Sequence, residues 1–392
     1  MERAKQFLCR PRLRLTTLRR LGGGALLGLQ PATPGMPFSS TNNLDCYGGR
    51  DHDWHRAMLA SCPSLRDGFV PSFWARSAHV QNALAVLRGD GVPALRWDRE
   101  ERQTMADGGT VSIQWVGLDA PADTPVIVLL HTITGSGDGL RRFVSAVRGR
   151  LGWVVAACNR RGHAGLPLTA PRINTMGSTE DLGRQIAAIE ARRPGAALYG
   201  VGVSAGSGLL VRYLGEAGAT ARFRAAVALC PAYDLRDAFV HAHRAYDRYL
   251  TRKMVEFFLH KNREVLGRID GYDDCAAATT MGEFHDRIYP LAGFDSREAF
   301  YRGSNPMEVA RDVTVPVFVI NAADDPVCVE DNVHRHLDAM QQLPRLTLAL
   351  TRRGGHCGFF EGLLTGESWA DRAIAEYLSA AHRLLGGGGI SQ

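Results

Sequence analysis

A hydroxyl, a carboxylate and an imidazole follow one another in this 392-residue chain in settings that could bring them to one point. Ser204 lies in Gly202-Val203-Ser204-Ala205-Gly206. Asp324 and Asp325 follow the apolar run Val315 to Asn321, and His356 lies in Gly354-Gly355-His356-Cys357-Gly358. A serine hydroxyl is a poor nucleophile near neutral pH, so an imidazole must take its proton as it attacks. A carboxylate must then fix the imidazole tautomer and stabilise the imidazolium. The chemistry such a set performs is acyl transfer through a covalent intermediate, which also needs N–H donors aimed at the developing alkoxide. One donor would be the amide of Ala205, directly after the serine. The other would come from His131-Thr132-Ile133-Thr134-Gly135-Ser136-Gly137, with Ile133 favoured and Thr132 the alternative.

The surroundings of Ser204 read as strand, sharp turn, helix. A small-apolar run from Ala196 to Val201 leads into the motif, and Leu209, Leu210, Val211, Tyr213 and Leu214 follow at helical spacing. A nucleophile on such a turn takes a strained conformation, so the residues two before and two after it must lack bulk; Gly202 and Gly206 meet that need. A dinucleotide loop is the rival reading of Gly200, Gly202 and Gly206. It requires an acid at the end of the next strand, and Ala225 to Cys230 ends instead in Cys-Pro. A phosphate loop at His131–Gly137 fails because no Lys-Ser/Thr follows.

The elements that must carry these residues alternate strand and helix. Arg99 to Met105 and Thr110 to Val116, split by Asp107-Gly108-Gly109, predict a β-hairpin. Val126 to His131, Trp153 to Asn159, the strand before Ser204, Ala225 to Cys230 and Val315 to Asn321 are continuous apolar runs, as strands buried on both faces should be. Helices are predicted at Leu140 to Val147 and Thr179 to Arg193, and a closing amphipathic helix at Ser368 to Leu385. The fold class is α/β, a mostly parallel central sheet with helices on both faces. Between Pro231 and Pro306 the rhythm breaks into an aromatic-rich stretch, helical from Ala238 to Leu266, which predicts a helical cap over the site.

The net charge of +6 belongs to residues 1–20, which hold seven basic residues against one acid, so the body is balanced and offers no footprint for nucleic acid. Residues 1–45 read as a basic tail, a targeting segment of organellar type or an unstructured extension. The run Gly22 to Leu29 is far short of the ~20 residues a membrane span needs. The eight cysteines are scattered without a C-x-x-C pair, as free thiols in a reducing, intracellular compartment would be. The pairs His52/His55, His241/His243 and His334/His336 lack a third ligand set, so no metal is expected.

Several motifs resemble those of the AB-hydrolase family 4 esterases and lipases. They are Phe69-x-Pro71-x-Phe73-Trp74 before His79-x-Gln81, Asp107-Gly108-Gly109, Asn159-Arg160-Arg161-Gly162, Gly177 to Leu182, Glu283-Phe284-His285-Asp286, and above all Gly354-Gly355-His356-x-Gly358-Phe359-x-Glu361-Gly362. The resemblance implies an α/β-hydrolase fold over about 65–385 with the cap at about 233–305. It implies Ser204 as nucleophile, His356 as base and one of Asp324 and Asp325 as acid, with Asp325 favoured because it stands immediately before Pro326. It implies a small-molecule or lipid ester as substrate, acylglycerols included, and no cofactor. An acyltransferase using the same acyl-enzyme and a silent binding protein on the same fold are the alternatives. Animal members carry an N-terminal membrane anchor, for which residues 1–45 hold no adequate run. The chain departs from the family at Thr132, where the first loop commonly has Gly, and at Ala205-Gly206-Ser207 after the serine.

Overall fold

Short apolar strands that no water can reach must stack side by side, and here they do so in one ten-stranded sheet whose two edge strands are polar and partly exposed. The computed structural model describes residues 35–87, 95–176, 178–362 and 367–386. The basic stretch 1–34, and with it the targeting-segment expectation, lies outside them. The strands are β1 (Ser39–Thr41), β2 (Leu44–Gly48), β3 (Arg99–Thr104), β4 (Thr110–Val116), β5 (Val126–Leu130), β6 (Val154–Asn159), β7 (Leu198–Val203), β8 (Phe223–Leu229), β9 (Val317–Ala322) and β10 (Leu346–Thr351). Their spatial order is β1-β2-β10-β9-β8-β7-β5-β6-β4-β3. The run from β10 to β6 is parallel throughout. The predicted hairpin β3–β4 adds antiparallel strands at one edge.

The parallel strands bury both faces, and the two faces form separate cores. In β7, Tyr199, Val201 and Val203 point to one side, where Phe143, Val144 and Val147 of the helix Arg141–Leu151 and Trp369, Ile374, Tyr377 and Leu378 of the helix Trp369–Gly386 cover them. Leu198 points to the other side, packed with Ile186, Leu209, Leu210, Val333 and Leu337 from the helices Glu180–Arg192, Ala205–Ala217 and Glu330–Gln341.

Two features differ from the sequence reading. The folded body begins upstream of residue 65: β2 pairs antiparallel with β10, β1 pairs with β2, and the helix His52–Ser61 lies over one face. Leu44 and Cys46 face the core at period two, but three- and five-residue strands are too short for that pattern to stand out within a Pro/Ser/Thr stretch. In the cap, the stretch from Ala238 to Leu266 is broken into the helices Leu235–His241 and Arg244–Met254, a π-turn at Val255–Leu259 and a short helix Arg263–Leu266. The His243 side chain starts the second of these by accepting from the Ala245 amide at 3.3 Å.

The cap lies in sequence between β8 and β9 and has its own apolar core. Met254, Phe258, Leu259, Met281, Phe284 and Phe300 are buried together, and Ala205 belongs to the same cluster. The chain goes from β5 to β6 on one side and then to β7 on the other, so the loops after β5 and β7 part company at a switch point. Open α/β sheets bind ligands in that crevice.

Candidate active site

Ser204 occupies the turn between β7 and the helix Ala205–Ala217 with φ 54° and ψ −119°, a conformation that side-chain-bearing residues rarely adopt. It persists because the surroundings over-determine it. The Ser204 amide donates to the Leu229 carbonyl at 2.8 Å, and a Cβ on Gly206 would stand 2.4 Å from the Leu130 carbonyl oxygen and 2.7 Å from that of His131. A Cβ on Gly202 would meet the Gly206 oxygen and the Ser207 Cα at 2.5 Å. These two glycines therefore let the helix start directly against β5 and the loop after it.

His356 Nε2 lies 2.8 Å from Ser204 Oγ, and His356 Nδ1 lies 2.8 Å from Asp325 Oδ2. The other Asp325 oxygen accepts from the amides of Val327 at 2.7 Å and Cys328 at 3.0 Å, and the carboxylate is fully buried. Asp324, one residue earlier, accepts instead from the Gly355 amide at 2.9 Å, so it fastens the loop rather than touching the ring. Burial is the largest influence and opposes a charge on His356, but the charge of Asp325, joined by Cys328 and by the ring's hydrogen bonds to both, holds the imidazole well above its ordinary value. Burial pushes the Asp324 carboxyl upward.

The sequence reading gave the glycines around His356 a swinging role; in the structure they serve close packing. A Cβ on Gly355, at φ 60°, would stand 2.4 Å from Asn82 Oδ1, the atom that accepts the His356 amide at 2.7 Å. Gln81 exchanges hydrogen bonds with both backbone groups of Phe360, at 2.7 and 3.2 Å, and Ser72 takes the Gly362 carbonyl at 2.6 Å. Residues 69–82, which could pass in sequence for cover on a sheet edge, thus clamp the histidine loop.

The loop after β5 is held from behind by Asn159 and Arg160. Asn159 Oδ1 accepts from the Gly137 amide at 2.9 Å. The Arg160 guanidinium donates to the carbonyls of Thr132 at 2.5 Å, Ile133 at 3.1 Å and Thr175 at 2.9 Å. His163 reaches the Ile133 carbonyl at 3.0 Å. A trans peptide points its C=O and N–H in opposite directions. With the Thr132 carbonyl turned to Arg160, the Ile133 N–H faces away from it. The His131 carbonyl faces Gly206, so the Thr132 N–H points away from the turn. Among the described residues, neither the Ile133 nor the Ala205 amide donates to a protein acceptor; the latter is the first amide of its helix, where no preceding turn offers a carbonyl.

Arg160 is 4% exposed, and among the described residues no carboxylate pairs with it. Burial brings its pKa down to about 9. Burial and then the Arg160 charge push His163 down to about 3, so Arg160 is the cation of this group. Its neighbour Arg161 has a framework role: it bonds both Asp181 oxygens at 2.7 and 2.8 Å and also Asp107, tying the β3–β4 turn to the helix Glu180–Arg192. Asn82, Gln81, Asn159, Arg160 and His163 carried no chemical assignment from the sequence. Three of them stand inside motifs already singled out there, His79-x-Gln81 and Asn159-Arg160-Arg161-Gly162.

The seven cysteines among the described residues are unpaired. The histidine pairs dismissed as metal ligands gather no third ligand among the described residues. Two trios of ligand atoms do converge, and both contain His356. No helix among the described residues is long and apolar enough to cross a membrane.

A family model described as the alpha/beta hydrolase fold matches residues 125–363. The embryogenesis-associated protein EMB8 of Picea glauca is 29% identical over 306 residues, which is 73% of this chain and 66%, just under two thirds, of that protein's length. The phospholipase ABHD3 of Homo sapiens is 27% identical over 339 residues, 83% of this chain and 82% of that one. The monoacylglycerol lipase ABHD2 of Homo sapiens is 26% identical over 358 residues, 84% of each chain.

Proposed function

The chain belongs to the alpha/beta hydrolase fold family, and from that premise we propose that it is a serine hydrolase of lipid carboxylic esters acting through an acyl-enzyme on Ser204. The observation that carries the reading is the unbroken line Ser204 Oγ–His356–Asp325, with 2.8 Å at each contact, at a serine held at positive φ. His356 takes the hydroxyl proton as Ser204 attacks the ester carbonyl, and Asp325 stabilises the resulting imidazolium. The tetrahedral oxyanion is received by the amides of Ala205 and Ile133. The imidazolium then returns its proton to the leaving alcohol. Water, deprotonated by the same ring, releases the acid and restores the serine.

Two observations support an apolar acyl group. Ala205 is buried in the apolar core of the cap, and Ile133 and Phe257 pack against that core. The activities named for two relatives, phospholipase and monoacylglycerol lipase, support a glycerolipid ester over a small polar one. The test is a chain-length series of monoacylglycerol, phosphatidylcholine and aryl esters, run on the wild type and Ser204→Ala, with fluorophosphonate labelling as a second readout. The expected result is wild-type labelling and hydrolysis that both vanish in Ser204→Ala, a loss of about a millionfold in kcat. Hydrolysis that survives in Ser204→Ala would refute the assignment.

A further inference from the structure

Three thiols surround the imidazole of His356. Cys230 follows β8 directly, Cys328 lies three positions after Asp325, and Cys357 is the next residue after His356. Ligand atoms of Cys230, His356 and Cys357 all fall within 4.8 Å of one another, and so do those of Asp325, Cys328 and His356. None of the three sulfurs is in a disulfide. We propose that this cluster is a binding site for a thiophilic divalent cation of the Zn2+ or Cd2+ type, held by Cys230, His356 and Cys357. Its occupation silences the enzyme by taking the imidazole from Ser204. The silencing half of the proposal rests on the reading of His356 as the base.

Ligand geometry supports this. A tetrahedral Zn2+ with bonds of about 2.3 Å to sulfur and about 2.0 Å to nitrogen sets adjacent ligand atoms roughly 3.5–3.8 Å apart. From separations of at most 4.8 Å, closing the set takes movements of ~1 Å, within reach of a turn about Cα–Cβ of Cys357. Cys230 is the fixed partner: it is fully buried, its amide donates to the Ile320 carbonyl at 2.8 Å, and its Sγ accepts the Cys357 amide at 3.3 Å. Two sulfurs and an imidazole suit Zn2+ or Cd2+ and disfavour Mg2+ and Ca2+, which require a shell of oxygens. Cys328 and Asp325 reach the same ring, so a fourth ligand is at hand.

Ordinary packing accounts for many buried cysteines. It does not account for three of the seven described thiols meeting at one imidazole. Nor does it require Cys230 and Cys357 both to take positive φ, 50° and 65°, where a side chain is strained. Burial pushes the Cys230 thiol well up, and Cys357 is raised as well, so a metal that binds here must displace protons.

The experiment titrates Zn2+ alone into wild type, Ser204→Ala, Cys230→Ser and Cys357→Ser in a non-chelating buffer. It follows ester hydrolysis and, with Co2+ as a spectroscopic substitute, the sulfur-to-metal charge-transfer band. The expected result is Zn2+ inhibition reversed by EDTA and weakened about a hundredfold in either cysteine variant, which should otherwise turn over within a few-fold of wild type. The Co2+ band should appear in wild type and Ser204→Ala and be lost in both cysteine variants. Inhibition equally potent in the cysteine variants, or a wild type without the Co2+ band, overturns the site. A wild type that shows the band but hydrolyses no ester leaves the metal site standing and removes the esterase reading instead. Two cysteine variants make the result independent of one of them failing to fold.

Discussion

Two neighbouring carboxylates compete for the role of triad acid, and exchanging each for its amide separates them. Asp325→Asn keeps the shape and lets Oδ1 go on accepting from Val327 and Cys328, but removes the charge 2.8 Å from His356 Nδ1. At an effective dielectric near 20, a unit charge at that distance stabilises an imidazolium by about 6 kcal/mol. At 1.36 kcal/mol per decade this corresponds to a rate loss of roughly ten-thousand-fold or slightly more. The amide also presents N–H where the ring needs an acceptor and so favours the wrong tautomer, which acts in the same direction. Asp324→Asn retains an oxygen for the Gly355 amide, and its cost should stay within about tenfold. The assay is pre-steady-state acylation with an activated aryl ester, with a denaturation curve for each variant to confirm equal folding. A loss in Asp324→Asn as large as that in Asp325→Asn, or an Asp325→Asn variant within tenfold of wild type, would refute the assignment.

Other perturbations test the supports around the line of three. Since His356 must be neutral to accept a proton and Asp325 holds its pKa above the ordinary 6.5, kcat/KM should rise with pH through a limb lying above that value. Asp325→Asn should move the limb to lower pH; a wild-type limb below 6.5 contradicts the stated direction. Arg160→Gln releases the carbonyls that turn the Ile133 amide outward and should lower kcat about a hundredfold while KM changes only a few-fold, with partial rescue in Arg160→Lys. A pure KM effect would show that the loop is not being aimed by Arg160. Gly206→Ala places a methyl 2.4 Å from the Leu130 carbonyl oxygen, and a denaturant titration should register a loss of about 1–3 kcal/mol together with slower acylation. Unchanged stability would mean that the strand and helix are free to separate.

The sequence displayed the reacting groups more openly than what holds them. Ser204 and His356 stand out because each sits among glycines whose lack of bulk has a local reason, and the parallel strands stand out because burial on both faces makes them uniformly apolar. The choice between Asp324 and Asp325 is a matter of one residue: the likeness to the esterase family, through Pro326, favours Asp325, whereas the residue types alone do not separate two carboxylates that leave the same strand end in different directions. The clamp on the histidine loop was illegible for another reason: Asn82 acts on a residue 274 positions away, and only the packed chain brings them together. The edge strands β1 and β2 were missed because three to five residues cannot establish a period.

That clamp bears on what counts as the working unit. The family match covers residues 125–363, a stretch that includes all three reacting side chains. It excludes Ser72, Gln81 and Asn82, which fasten the loop bearing the imidazole, and the helix Trp369–Gly386, which shields one side of the sheet. An excised fragment with those limits would carry every atom that reacts and little that keeps the imidazole in register with the hydroxyl. Gene fusions, domain grafts and truncations of this protein should therefore be drawn around the scaffold that aims the base, starting well before the first strand of the matched region.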